Sequence, residues 1–378
     1  MKYRTSSRKC LHRTTGQHLV ILLLLVISIG LGLGTVTTQA QTRAYVTNFQ
    51  GNTVSVIDTT TNTVVATVPV GINPSGIAIT PDGSRAYVTN FQGETGNTVS
   101  VIDIATNTVV ATIPMAGAEG PSGIAITPDG TRAYVTIEGS FAVLVIDTAT
   151  NTVVADIFDP GLISQPMRVA ITPDGTRAFV TANGVAVIDT ATNSVVDGIP
   201  VIGGCVGIAI TPDGTRAYVA SLGFAFAVSV IDISIPNVVA TIGVAGGPIA
   251  VAITPDGTRA YVASYYSGIV SVMDTTTNTV VATVPVGINP AGIAITTDGS
   301  RAYVTNSGSD TVSVIDVANN AVVATIPVGQ VPAGVAITPA PQTPKSKEEC
   351  KHDGFLKFGP PAGPFKNQGQ CVSYVEHH

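Results

Sequence analysis

Arg85-Ala86-Tyr87-Val88-Thr89-Asn90 is the stretch that decides the fold, because the chain writes it seven times over. The pattern R-A-[YF]-V begins at Arg43, Arg85, Arg132, Arg177, Arg216, Arg259 and Arg301, in steps of 42, 47, 45, 39, 43 and 42 residues. A period of about 40 to 45 residues built from short strands is the mark of a propeller blade. Working outward from Arg85, Ser75 to Thr80 is an apolar run of small residues, followed by the turn Pro81-Asp82-Gly83. Pro presets φ in such a turn and Gly can take φ > 0. Asn97 to Asp103 then alternates with period two, as a half-buried strand does, and Thr108 to Pro114 follows a second turn. Val, Ile and Thr dominate throughout, and they suit a pleated, packed surface.

The ends of the array are out of phase. The first copy lacks its first strand and starts at Arg43; the last has only that strand, Pro332 to Thr338. The two partial copies sum to one blade. The expected fold is therefore all-β: a seven-bladed β-propeller of four-stranded blades, with the N- and C-terminal strands sharing one blade. Closing the ring in this way removes an open edge. Asp58, Asp103, Asp147, Asp189, Asp232, Asp274 and Asp316 mark seven third strands independently.

The composite R-A-Y-V-T-N, V-S-V-I-D, N-T-V-V-A-T-V-P-V-G and P-S-G-I-A-I-T-P-D-G resembles the YVTN family of β-propeller repeats, and it covers residues 43 to 338. The resemblance implies a secreted or surface-layer-like propeller. It is specific for fold and weak for function, since one fold hosts many activities.

Residues 1 to 40 read as a secretory signal peptide: basic Lys2, Arg4, Arg8, Lys9 and Arg13, an apolar run from Leu19 to Leu33, and small residues at Thr38 to Ala40. A retained membrane anchor is the alternative. Cleavage before Gln41 implies a secreted, cell-surface or periplasmic protein with no span left in the mature chain. Residues 41 to 340 form the propeller, 341 to 349 a linker, and 350 to 378 a small tail. In an oxidising compartment the simple pairing in that tail is Cys350 with Cys371. Cys205 is left over and reads as a buried, inert thiol.

The array from 41 to 340 holds eight Arg, no Lys and twenty Asp plus Glu, a formal charge of −12. Nucleic-acid binding needs basic surface, so it is excluded. Thirteen of the acids stand in the repeated P-D-G and V-I-D turns, where Asp caps its own backbone. The five His are His12, His18, His352, His377 and His378, all outside the array. That excludes Ser-His-Asp or Cys-His catalysis and any His-held haem or zinc on the ring. No phosphate loop or C-x-x-C pair is present. No cofactor is expected.

Strands alternate in direction, so the two invariant turns share one face and the two variable connections share the other. The array has fifteen aromatics, seven of them the repeat Tyr or Phe. The other eight, Phe49, Phe91, Phe141, Phe158, Phe224, Phe226, Tyr265 and Tyr266, fall in or beside the variable connections. Each could simply pack under its own loop; as a set they suggest a binding face for a protein, peptide or glycan. Arg168 is the only array Arg outside the repeat position. It replaces the Gly found at Gly76, Gly123, Gly207, Gly292 and Gly334, which puts it near the channel mouth. Asp159, Glu138 and Glu119 lie in the same or neighbouring loops; an Arg168–Asp159 ion pair or an anion contact are both open. The expected function is a monomeric, non-catalytic binding propeller. The alternative is a lactonase-like hydrolase using a divalent cation at the channel mouth, although the first strands carry almost wholly Gly, Ala, Ile, Val and Thr.

Overall fold

The computed structural model describes residues 42–91, 97–115, 117, 120–223 and 226–340. The leader, the linker, the tail with Cys350 and Cys371, and the side chains of Phe224 and Glu119 lie outside these residues. Among the described residues there are twenty-eight strands, β1 to β28 in chain order, in seven sheets of four antiparallel strands. Among the described residues there is no helix.

Blade 2 is typical: β4 (Pro74–Ile79) is innermost, then β5 (Arg85–Asn90), β6 (Thr98–Asp103) and β7 (Thr108–Pro114) step outward. Blade 1 is assembled from both ends. Its innermost strand is β28 (Pro332–Ile337), beside β1 (Arg43–Asn48), β2 (Thr53–Asp58) and β3 (Thr63–Pro69). Ala44, Tyr45 and Val46 pair with Ile337, Ala336 and Val335. The expected closure by strand exchange is thus present. Innermost strands of successive blades pack against each other around the hub, β28 against β4 included.

The core is seven cores. Each apolar cluster takes residues from two neighbouring blades, such as Tyr87, Val99 and Val101 of blade 2 with Ala133, Val135 and Leu144 of blade 3. The alternation in the sequence is therefore a two-sided one. The second and third strands are buried on both faces because each blade is sandwiched between two others.

Two polar devices join the blades. Near the hub, the Thr89 hydroxyl accepts the Gly76 N–H of its own blade and donates to the Ser122 carbonyl of the next, both at 2.8 Å. Thr47, Thr136, Thr181 and Thr305 repeat this bridge. Blades 5 and 6 have Ala220 and Ala263 there. Farther out, the Tyr87 hydroxyl donates to Asn151 Oδ1 (2.8 Å) and to the Thr148 carbonyl (3.2 Å) in the turn of the next blade. Tyr45, Tyr134, Tyr218, Tyr261 and Tyr303 do the same to Asn107, Asn193, Asn278, Asn320 and Asn62. All six Asn sit at positive φ, between 50° and 55°, a conformation Asn tolerates better than most residues. Burial pushes the Tyr303 hydroxyl up to about 12, so it stays a donor.

The outermost strands bear on association. Each holds a β-bulge at the second Val of its V-V pair: Val56 faces Ala66 and Ile57 faces Val64, which leaves Val65 unpaired. The same happens at Val110, Val154, Val196, Val239, Val281 and Val323. A bulge bends and twists an edge strand away from edge-to-edge pairing. It replaces the charged residues that usually guard such an edge, which this chain almost entirely lacks.

The Asp-rich turns hold themselves together. The Thr127 hydroxyl donates to Asp129 at 2.6 Å, and the Thr131 N–H does so at 3.0 Å. These bonds, the hydroxyl's first, hold Asp129 below the usual carboxylate range, and the same arrangement acts on Asp174, Asp213 and Asp256. Carboxylates depressed in the folded state contribute stability above their unfolded pKa of about 3.9 and lose it as pH falls through the lower folded value. The melting temperature should therefore hold steady from about pH 7 to 5 and drop steeply below about pH 4. A curve that stayed level to pH 2 would mean that these bonds carry no stability.

Candidate loop-face binding site

The connections leaving β5 and β7, and their counterparts in each blade, emerge on one side, here called the loop face. The P-D-G and V-I-D turns emerge on the other. The two sides differ in charge. Thirteen Asp and seven repeat Arg belong to the turn side; among the described residues the loop connections carry Glu138, Asp159, Asp310 and Arg168. The turn side also has a cleft of about 580 Å³ lined by Thr254, Pro255, Asp256, Arg259, Asp298 and Asn320. Those are repeat positions, and the acids among them are engaged in their own turns. The cleft is a product of the repeat and marks no special blade.

The described surplus aromatics do lie on the loop face, but in three groups. Phe49 and Phe91, from adjacent blades, meet at 6.1 Å and are partly buried. Phe141 and Phe158 pack edge to face at 6.4 Å within blade 3, because Phe158 ends the strand that pairs with Ala142. Phe226 of blade 5 and Tyr265 and Tyr266 of blade 6 form a chain, Phe226 to Tyr266 at 6.1 Å and Tyr265 to Tyr266 at 5.4 Å. Such spacings and tilts are the favourable ones for aromatic pairs. Phe158 and Tyr266 are the most open, 63% and 64% exposed. Phe224 lies outside the described residues.

The loop face also exposes aliphatic side chains that the aromatic count overlooks: Ile72, Leu162, Ile202 and Ile288, with Ile202 at 84%. Their signal was present. Ile72 and Ile288 stand in the connection V-G-I-N-P, and Ile202 in P-V-I-G-G, where a loop would ordinarily carry a polar residue. Leu162 folds back over Gly198, where a Cβ would lie 2.4 Å from its methyl.

Asp159 and Arg168 do not pair. The Asp159 carboxylate accepts the Gly161 and Leu162 N–H groups at 2.9 and 3.0 Å, an Asx turn that shapes its own loop. Arg168 Nη1 donates to Ser122 Oγ of the preceding blade (2.8 Å) and to the Met167 carbonyl (3.1 Å). The side chain is packed by protein while part of its area still meets solvent. Burial pulls its pKa below the ordinary arginine value, and the charge of Glu138 opposes this. Among the described residues the one ion pair is Arg301 with Asp316, on the turn side.

Cys205 takes the place that Pro has at the start of five of the other six inner strands. It is 2% exposed, and burial first of all pushes its thiol to about 11. A thiol so placed is unreactive at neutral pH. Among the described residues no three His, Cys, Asp or Glu come close enough to hold a metal ion.

No family model matches this sequence, and no curated relative matches it. Its fold is similar to several solved structures. Hydrazine synthase from Kuenenia stuttgartiensis is 27% identical, with a TM-score of 0.67 over 72% of this chain and 92% of that one. A protein of unknown function from Desulfotomaculum acetoxidans DSM 771 is 20% identical, with a TM-score of 0.68 over 79% and 99%. A candidate 6-phosphogluconolactonase from Bacteroides fragilis NCTC 9343 is 17% identical, with a TM-score of 0.65 over 80% and 99%. Propellers similar to this chain thus include proteins described as enzymes. At these identities what is shared is the ring of blades, and the chain is a seven-bladed β-propeller.

Proposed function

We propose that this protein is a secreted or cell-surface propeller of YVTN-type repeats that acts as a non-catalytic scaffold. It binds a protein, peptide or glycan partner through the loop face and works as a monomer. The observation that carries this reading is the contrast between the two faces. On the turn side, the polar groups that repeat are engaged in caps and blade-to-blade bonds. On the loop side, Phe141, Phe158, Leu162, Ile202 and Tyr266 are open to solvent with few charges around them. Apolar groups in such number on one face of a monomer mark an interaction surface. The bulged outer strands support the monomeric state, and the leader supports export.

The partner should be captured by the mature protein from cell-surface fractions. Phe158→Ala and Tyr266→Ala should then each weaken binding by about 2 kcal/mol, roughly thirtyfold, as anchors at an interface centre do. Their melting temperatures should stay near that of the parent. Asp129→Asn on the turn side should leave binding intact. Loss of binding in Asp129→Asn alone would transfer the function to the opposite face.

A further inference from the structure

We propose that the loop-face mouth of the central channel contains a carboxylate seat whose donor is the Arg168 guanidinium. This deepens the loop-face reading, because it assigns an anionic group to the ligand, yet it can be tested without the partner.

Three observations converge on it. The first is the position. Where the repeat has Gly, a Cβ would meet a neighbouring carbonyl at 2.3 Å (Gly76), 2.6 Å (Gly123), 2.5 Å (Gly207) and 2.4 Å (Gly292). Five blades keep Gly there for that reason, and a sixth allows only Ala250. Blade 4 places an arginine in this tight spot, and its inner strand β12 (Val169–Ile171) is assigned only three residues instead of six. A residue that breaks the local rule of a repeat is a candidate for function.

The second is how the guanidinium is held. Nη1 uses both of its hydrogens on neutral acceptors, Ser122 Oγ and the Met167 carbonyl. These bonds fix the plane of the group, and they leave the Nε–Nη2 edge as a two-pronged donor. The nearest acid in its own connection, Asp159, is committed to its own loop. Glu138 acts on Arg168 only through its charge and makes no ion pair with it. Among the described residues Arg168 has no ion-pair partner; a partly desolvated charge so placed is costly, and a bound anion removes that cost.

The third is the charge balance, which selects the kind of anion. The array is strongly acidic, and Arg168 is the only cation among the described loop-face residues. One guanidinium neutralises a single negative charge. A planar monoanion matches its fork in a bidentate pair, whereas a phosphate dianion would need further positive charge. The chemistry of the seat is therefore that of a carboxylate, as at a peptide C-terminus or on an acidic sugar.

The test uses mature protein labelled with ¹⁵N-arginine, titrated with sodium acetate at constant ionic strength while the Nε–H resonances are followed. The Arg168 resonance, assigned by its loss in Arg168→Lys, should shift saturably with a Kd in the millimolar range, and the seven repeat arginines should stay put. Ser122→Ala should weaken acetate binding severalfold by freeing the guanidinium plane. An Arg168 resonance that does not saturate, or that responds more strongly to sulfate than to acetate, overturns the seat. So does a large shift of that resonance on Glu138→Gln in the absence of acetate, which would identify Glu138 as the built-in counter-ion. If acetate binds as expected while Phe158→Ala and Tyr266→Ala leave partner capture unchanged, the aromatic reading fails and the seat stands.

Discussion

Removing residues 332–378 should abolish cooperative unfolding, whereas removing only 345–378 should leave the propeller's transition nearly unchanged. The longer deletion takes away β28, which closes the ring. It strips Ala44 and Val46 of their pairing partners and takes Val335 and Ile337 from the cluster around Tyr303. It also removes the Ala333 carbonyl that accepts the Thr305 hydroxyl and the Gly334 N–H that donates to Thr47. Two partly buried aliphatics at about 1.5 kcal/mol each and several hydrogen bonds at about 1 kcal/mol each come to roughly 5 kcal/mol or more. That is comparable with the whole stability of an ordinary domain, about 5 to 15 kcal/mol. Thermal melts of the parent and the two truncated chains decide the matter; three superimposable curves would show that the terminal strand is dispensable.

The second large effect is expected at the tyrosines between blades. Tyr87→Ala should cost about 3 to 5 kcal/mol, as truncation of a fully buried aromatic does. Tyr87→Phe should cost only the hydroxyl's bonds, about 1 to 1.5 kcal/mol. The chain contains its own control. In blade 4 the repeat Tyr is Phe179, which packs in one cluster with Ile233 from the turn of blade 5. In that turn the position of the acceptor Asn is held by Pro236. Donor and acceptor are missing together, at the same blade boundary. Phe179→Tyr alone should therefore bring no gain, since its hydroxyl would be buried without its side-chain acceptor. Paired with Pro236→Asn it should recover about 1 kcal/mol relative to the sum of the single changes. A coupling near zero in chemical denaturation of the four variants would mean that the Tyr–Asn bond is incidental to blade docking.

Local rules carried most of the fold. Period-two alternation, turn residues and the repeat length are properties of segments shorter than a blade, so they could be read along the chain. The site divides differently. That Phe141, Phe158 and Tyr266 belong to one side follows from strand direction, which is legible. Their grouping is not, since it depends on which loops the ring brings together. Arg168 stood out as an exception to Gly, yet its partner, Ser122, lies 46 residues earlier and had no mark of its own. Asp159, close to Arg168 in sequence, turned out to serve its own loop.

The sequence by itself determined seven blades, the exchange of strands between its ends, and the separation of an invariant face from a variable one. Each of these follows from hydrogen bonds and turns that close within one blade or repeat from blade to blade. Only the tertiary structure decided the Tyr87–Asn151 family of bonds, the bulges that blunt the outer strands, the three aromatic groups and the orientation of the Arg168 fork. These are contacts between blades or between strand edges and solvent. They depend on the rotation from one blade to the next, which no segment of the chain encodes alone and which arises only when all seven cores pack at once.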